Sequence, residues 1–404
     1  MNKIRFKAVI ILNLFFSCLL SFQLYSQVAH SKDNFTGTVH YIQSEILDEE
    51  REVKVYLPKE YAETEKNYPV LYILDGQRFY LYATSLNESF RQYDLTPEFI
   101  VVGITNSYPQ RFSHFDNGKE KFIGFIEKEL TPYIDTHYRT KKEKLIFGWE
   151  YAGSLAFHIL TTKPSLFDGY FLASPFPIKN RVNELKGASL LKKTLYFAVS
   201  PNEYEVNQGT NKLDSLLTKQ KTRGLIWTYS ELKNEEHRST PYPTLYHGLR
   251  KHFEYYPELQ VDNLSQFIDA GGLDYAYSYA KERALRYGFS SDLSLWSRYT
   301  IIRSTLRAED YNHFKDFMEV FNPENNLIQE LIDGNRDYAA SGIAKFYEKN
   351  NRYDKAIEIY RLLIKKSPNS ENLLMRTGDA HMAQGNIIEA KKYFKQAQKT
   401  QKKK

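Results

Sequence analysis

The sequence predicts a mixed α/β domain followed by an all-helical tail, and three observations carry that reading. Short β-rich runs alternate with helical stretches from about Thr36 to Tyr256. From about Pro257 onward the apolar residues take helical spacing. Near the C-terminus, small and aromatic residues recur with a period of 34. At 404 residues the chain exceeds one ordinary domain and is long enough to bury a sizeable core.

The chain opens with a targeting segment. Lys3, Arg5 and Lys7 precede an almost wholly apolar run from Ala8 to Leu20, and Leu24-Tyr25-Ser26-Gln27 supplies a cleavage region. Residues 1–26 therefore read as a Sec-type signal peptide, with the mature protein periplasmic or extracellular. An uncleaved anchor helix is the alternative, but Asn13, Ser17, Ser21 and Gln23 dilute its apolarity. Lipid attachment at Cys18 is a further alternative, for which Phe15-Phe16-Ser17 is a poor signal. Cys18 is the only cysteine, so the mature chain has neither a disulfide nor a thiolate metal site. Without the three leader cations, 52 Lys and Arg face 49 Asp and Glu. That near balance leaves the lysine-rich end as a solvated tail and excludes a nucleic-acid footprint.

In the α/β stretch, residues 36–256, Val53–Pro58 alternates as a strand. Tyr68–Leu74 and Phe99–Ile104 are more continuous apolar runs, and Leu145–Phe147 and Gly169–Ala173 are short buried ones. Thr194–Val199 and Leu225–Tyr229 complete the series. Runs apolar on both faces predict a central, mostly parallel sheet flanked by helices. Phe122, Phe125, Ile126 and Leu130 mark an amphipathic helix that Pro132 is expected to end. Ligand-bearing loops of such a sheet lie at the carboxyl ends of its strands.

Residues 257–333 read as a helical bridge, with Tyr311-Asn312-His313-Phe314 a candidate degenerate repeat unit in front of the periodic tail. Residues 337–400 read as two tetratricopeptide-like repeats, with Ala356 and Ala390, and Tyr360 and Phe394, both 34 apart. Small residues at Ala344, Gly378, Ala356 and Ala390 suit close helix pairs, and two repeats alone leave faces to be capped.

Phe147-Gly148-Trp149-Glu150-Tyr151-Ala152-Gly153 keeps the small flanking residues of a sharp strand-to-helix turn. Serine hydrolases read G-x-S-x-G at such a turn; here the centre is Glu150. With Tyr68–Gly76, Val102–Asn106, Phe122–Thr140, Ala173-Ser174-Pro175, His237–Pro241 and Leu245–Leu249, this turn gives the chain a resemblance to a known family. It resembles the esterase group of α/β-hydrolases that includes enterochelin-type siderophore esterases and feruloyl-type carbohydrate esterases, over roughly Tyr41 to Phe253. The resemblance implies an α/β-hydrolase fold. It also implies His237 as catalytic base, Glu203 as its acidic partner with Glu205 a competitor, and Glu150 at the nucleophile position. Backbone N–H groups of Tyr151 and of Gly76 or Gln77 take the oxyanion-hole positions, and Arg111 and His114 those of substrate contacts.

Glutamate cannot form the alkoxide-like nucleophile that His237 would activate. Its longer side chain is expected to fill the space of the scissile carbonyl, pairing with both the histidine and the oxyanion-hole donors. Ser154 falls inside the following helix, and Ser174 reads as a turn residue. Glu235-Glu236-His237 lacks the helical spacing of a metal site. His247 and His252 read as helix-surface or packing residues. No cofactor and no metal are expected. The expected function is ligand binding or protein interaction by a degenerate esterase, with an ester-like, sugar or siderophore ligand and a protein or peptide partner on the repeats. The alternative is an active carboxylic-ester hydrolase with a non-serine mechanism. No stable membrane span is expected once the leader is cleaved.

Overall fold

Eight strands form one sheet: β1 (Thr38–Ser44), β2 (Glu49–Tyr56), β3 (Tyr68–Leu74), β4 (Ile100–Ile104), β5 (Thr140–Trp149), β6 (Gly169–Ala173), β7 (Lys193–Val199) and β8 (Leu225–Glu231). Their spatial order is β1-β2-β4-β3-β5-β6-β7-β8, antiparallel across β1, β2 and β4 and parallel from β4 to β8. This computed structural model describes residues 36–179, 181–187, 193–220 and 224–401. The leader with Cys18 and its cleavage region, and Lys402 to Lys404 of the tail, lie outside the described residues.

The central strands form because their side chains are apolar on both faces. All of β3 is buried, with Val70, Tyr72 and Leu74 in one core cluster and Leu71 and Ile73 in another. A fully buried aliphatic side chain contributes roughly 1.5–3 kcal/mol, whereas an exposed ion pair contributes about 0–1 kcal/mol. Packing on the two faces of the sheet therefore holds this part together. Helices α1 (Gly76–Arg91), α2 (Gln110–Phe115), α3 (Lys119–Phe125), α4 (Thr131–His137), α5 (Tyr151–Thr162), α6 (Tyr204–Gln220) and α7 (Pro241–His252) flank it.

Two expectations are revised. The edge strand β1 escapes sequence reading because Val39 and Tyr41 are exposed and no continuous apolar run marks it. Pro132 does not end its helix. A wide π-type turn over Ile126–Leu130 precedes α4, and Pro132 sits in the first turn of α4, where its missing N–H is tolerated.

Beyond the sheet run α8 (Leu264–Asp269), α9 (Gly272–Tyr287), α10 (Leu295–Ala308), α11 (Tyr311–Phe321), α12 (Asn326–Asp333), α13 (Asp337–Lys349), α14 (Tyr353–Lys366), α15 (Glu371–Ala383) and α16 (Ile387–Gln401). One apolar cluster runs from Leu259 to Leu363 across this region, with Phe314 of α11 against Phe346 and Tyr347 of α13. At the second repeat, a Cβ on Gly378 would lie 2.4 Å from the Phe394 ring, so the helices meet here with the ring laid over glycine and any larger residue would displace it. Arg286 of α9 donates to Glu143 of β5 at 2.8 Å, and His252 of α7 contacts the same carboxylate at 2.9 Å. Among the described residues, no helix is long and apolar enough to cross a membrane.

Helix α1 approaches β4 so closely that a Cβ on Gly76 would lie 2.6 Å from the Gly103 carbonyl carbon. Gly76→Ala is expected to cost about 1–3 kcal/mol through overpacking against backbone, read as a lower urea midpoint. An unchanged midpoint would mean that α1 lifts off the sheet without penalty.

Candidate active site

The candidate site is built where three neighbouring strands end. Asp75 follows β3, Glu150 follows β5 and Ser174 follows β6, with φ of 56°, 58° and 42°. Positive φ is uncommon outside glycine and strained, and such residues concentrate at functional sites. Glu150, with ψ of −121°, forms the sharp turn from β5 into α5. Its N–H donates to Ala173 O at 2.9 Å, and its carbonyl accepts from the Phe176 and Ser154 amides at 3.1 and 3.0 Å. Glycine flanks this turn for a steric reason. A Cβ on Gly148 would lie 2.4 Å from Ala152 O, and one on Gly153 3.0 Å from Gly148 O.

The turn aims the Glu150 side chain between two cations. Arg111 Nη1 donates to Oε2 at 3.3 Å, and His237 Nε2 lies 3.8 Å from Oε1. Arg111 also grips Asp75 with its fork, Nε to Oδ1 and Nη2 to Oδ2, both at 2.8 Å. Asp75 is fully buried. Both carboxylates stand at helix N-termini, Asp75 before α1 and Glu150 before α5, where the helix dipole favours negative charge. Arg111 thus bridges two helix starts.

The imidazole is fixed from several sides. His237 Nδ1 is hydrogen-bonded to Glu203 Oε1. Its carbonyl accepts from Trp149 Nε1 at 3.0 Å, and its ring lies 4.8 Å from that indole. Glu203 in turn accepts from Ser174 Oγ at 2.7 Å and from the Ser200 amide at 2.8 Å. Thr240 Oγ1 reaches Ser174 Oγ at 2.7 Å and donates to His237 O at 3.1 Å. Phe112, Tyr151 and Phe176 form a chain of edge-on rings beside the turn, with centroids 4.9 and 5.6 Å apart.

Glu150, His237, Glu203 and Arg111 therefore come together, with the Tyr151 amide at the turn and Gly76 and Gln77 opening α1 next to Asp75. Glu205 stays exposed. Two expectations change. The hydrogen-bond partner of the Glu150 carboxylate is the Arg111 guanidinium; among the described residues no bond from the Tyr151 or Gln77 amide is seen. Arg111, anchored by Asp75, offers a charged donor to Oε2 of that carboxylate instead. His114 is no ligand contact: it is buried, with Nε2 2.9 Å from Glu49 and its ring stacked 5.0 Å from Phe122. Asp75, Trp149 and Thr240 belong to the network and escaped sequence reading, and Ser174 is more than a turn residue. The available signal was that Asp75, Glu150 and Ser174 each directly follow a buried strand. Ser154 Oγ donates to Pro177 O at 3.0 Å, inside α5.

The charges reinforce one another. The Glu150 carboxylate and then Glu203 raise the His237 pKa to about 9. The pairing with His237, aided by Arg111, lowers that of Glu150. Burial would raise Glu203, but hydrogen bonds from His237, Ser174 and the Ser200 amide outweigh it and lower its pKa. Burial pushes the Asp75 carboxyl up against the pull of Arg111. At neutral pH the central unit is thus carboxylate, imidazolium, carboxylate.

Residues 44–238 match the family model described as putative esterase, and 338–370 and 372–404 match tetratricopeptide-repeat models. The chain is 29% identical over 162 residues to the ferri-bacillibactin esterase BesA of Bacillus subtilis, covering 32% of this chain and 53% of that protein. It is 34% identical over 91 residues to the siderophore enterobactin esterase of Emericella nidulans, covering 21% of this chain and 29% of that one. The chain thus spans about half or less of the length of these relatives. Among solved structures, an IroE-like serine hydrolase from Shewanella oneidensis superposes with a TM-score of 0.51 at 24% identity, covering 70% of this chain and 98% of its own. An uncharacterised protein from Capnocytophaga ochracea gives 0.54 at 16% identity, covering 88% and 99%. These two likenesses are of fold.

A raised histidine pKa stabilises the fold fully below its ordinary value of 6.5, and that contribution is lost as pH rises through about 9. The lowered carboxylates contribute above their ordinary value of 4.5 and lose that contribution as pH falls through the lowered values. The network is therefore strongest between 4.5 and 6.5 and persists in part towards 9. In an NMR titration, His237 is expected to show a midpoint near 9, moving down towards 6.5 in Glu150→Gln. A midpoint unmoved by that change would show that Glu150 does not sense the imidazole.

Proposed function

From the similarity of its α/β part to the putative esterases, we propose that this chain is an exported, degenerate esterase. Glu150 occupies the seat of the nucleophilic serine. The site binds an ester-like, sugar or siderophore ligand without acyl transfer, and the repeats engage a protein or peptide partner. One observation carries this reading: the residue at the strained apex beside His237 is a carboxylate held by Arg111. A carboxylate so paired supplies no alkoxide-like nucleophile and fills the space in front of the imidazole.

The charge state supports the same conclusion. A catalytic base needs a free nitrogen at the working pH, whereas His237 holds its proton up to about 9. The ring chain of Phe112, Tyr151 and Phe176 supports a ligand with apolar or aromatic groups. The siderophore-esterase names of the curated relatives support an ester or siderophore. Export rests on the leader sequence, and the partner role on the concave surface that such repeats present.

One observation favours a second reading. Oε1 of Glu150 stands 3.8 Å from His237 Nε2, a separation that a bridging water spans. A water activated there by Glu150 would hydrolyse a reactive ester without serine. The lowered pKa of Glu150 makes it a weak base for that task.

The purified protein is expected to leave short-chain aryl esters unhydrolysed above background and to escape labelling by a fluorophosphonate probe. Glu150→Ser is expected to restore measurable ester hydrolysis if the imidazole and Glu203 are otherwise competent. Robust wild-type turnover, abolished by Glu150→Ala or His237→Ala, would establish the water-based mechanism and end the degenerate reading.

A further inference from the structure

A cavity of about 480 Å³ lies at the opposite end of the sheet from Glu150. Tyr68 at the start of β3 and Lys141 at the start of β5 line it, together with Thr96 and Glu98 from the segment entering β4. Its far wall is Tyr256, Tyr287 and Phe289, from the chain that follows α7 and the end of α9. The three rings form a corner, with centroids 5.1 Å apart for Tyr256 and Tyr287, 5.4 Å for Tyr256 and Phe289, and 6.4 Å for Tyr287 and Phe289. One ring already receives a cation on a face: the Arg283 guanidinium carbon lies 3.7 Å from the Phe289 centroid.

The polar lining is built and incompletely paired within the protein. Thr96 is 2% exposed, and its hydroxyl has no protein partner. Buried Oε1 of Glu98 accepts no hydrogen bond; its nearest cation, Arg91 Nε, stands 3.6 Å away. The Tyr287 hydroxyl is likewise buried and unpaired. Burial and then the neighbouring Glu60 push the Glu98 carboxyl up, as expected where a negative charge is short of donors. Exposed Lys66 and Lys141 also line the cavity, as do the charged side chains of Glu60, Arg91 and Asp94.

An aromatic corner beside a carboxylate recognises an ammonium group by attraction to ring faces and by charge. Lysines at the rim match a carboxylate on the same molecule. We propose that this cavity is a binding site for a small zwitterionic amine, an α-amino acid or a betaine, with its cationic end against Tyr256, Tyr287, Phe289 and Glu98 and its carboxylate towards Lys66 and Lys141. The site is independent of the Glu150 centre and of any ester chemistry there.

Calorimetry and saturation-transfer NMR on the full chain, with glycine betaine and with L-phenylalanine as separate probes, test it. At least one probe is expected to bind saturably. Phe289→Ala and Glu98→Gln are each expected to weaken that probe about tenfold or more, while Glu150→Gln leaves it unchanged. Lys141→Glu, on the exposed rim, tests the carboxylate end without touching the core and is expected to weaken binding too. Betaine alone would identify a methylated cation, and phenylalanine alone a hydrogen-bonded primary ammonium; either supports the site. Absence of saturable binding by both probes, or affinity retained in both Phe289→Ala and Glu98→Gln, would overturn it.

Discussion

The arrangement of the candidate site depends on a single guanidinium. Arg111 spends its fork on buried Asp75 and its remaining nitrogen on Glu150. A fully buried carboxylate without a cation would be costly, and so would a second one nearby. With Arg111 in place, the ends of β3 and β5 and the starts of α1 and α5 are tied through one planar group. Glu150 is thus an integrated member of an ion-pair network that begins at Asp75 and runs through His237 to Glu203, Ser174 and Thr240.

That network explains how a glutamate is held at this strained turn. Strained backbone persists only where its surroundings over-determine it. Here the Glu150 amide and carbonyl are both used, glycine stands on either side for lack of room, and the side chain is held by charge. The turn therefore holds a carboxylate at its apex, between the Arg111 guanidinium and the His237 imidazole.

Much of this was legible in the residues. Tyr68–Leu74 and Gly169–Ala173 were readable with their bounds because continuous apolar runs leave no ambiguity of face. Thr140 to Lys144 were missed at the start of β5, since they are polar and only half-buried or exposed. His237 and Glu203 were reachable through resemblance, and their contact follows from the ends of β7 and β8 lying side by side. Asp75 and Ser174 were signalled only by their place directly after buried strands, and their contacts with Arg111 and Glu203 were not legible. Their importance comes from strand ends far apart in sequence meeting in space, which no local pattern encodes. The resemblance placed His114 among the substrate contacts, but its burial against Glu49 depends on β2 lying next to β4.

Glu143 anchors Arg286 and His252 near one end of β5, and the other end of that strand carries Glu150. The helical region beyond α9 is in turn filled by one uninterrupted apolar cluster as far as Leu363 in the first repeat. The repeats therefore do not hang from the sheet by a tether. A partner of the proposed kind, bound by them, would be held at a set bearing, as by a jig bolted to the bench, because the spacing from sheet to repeats is fixed by packed helices rather than by chain slack.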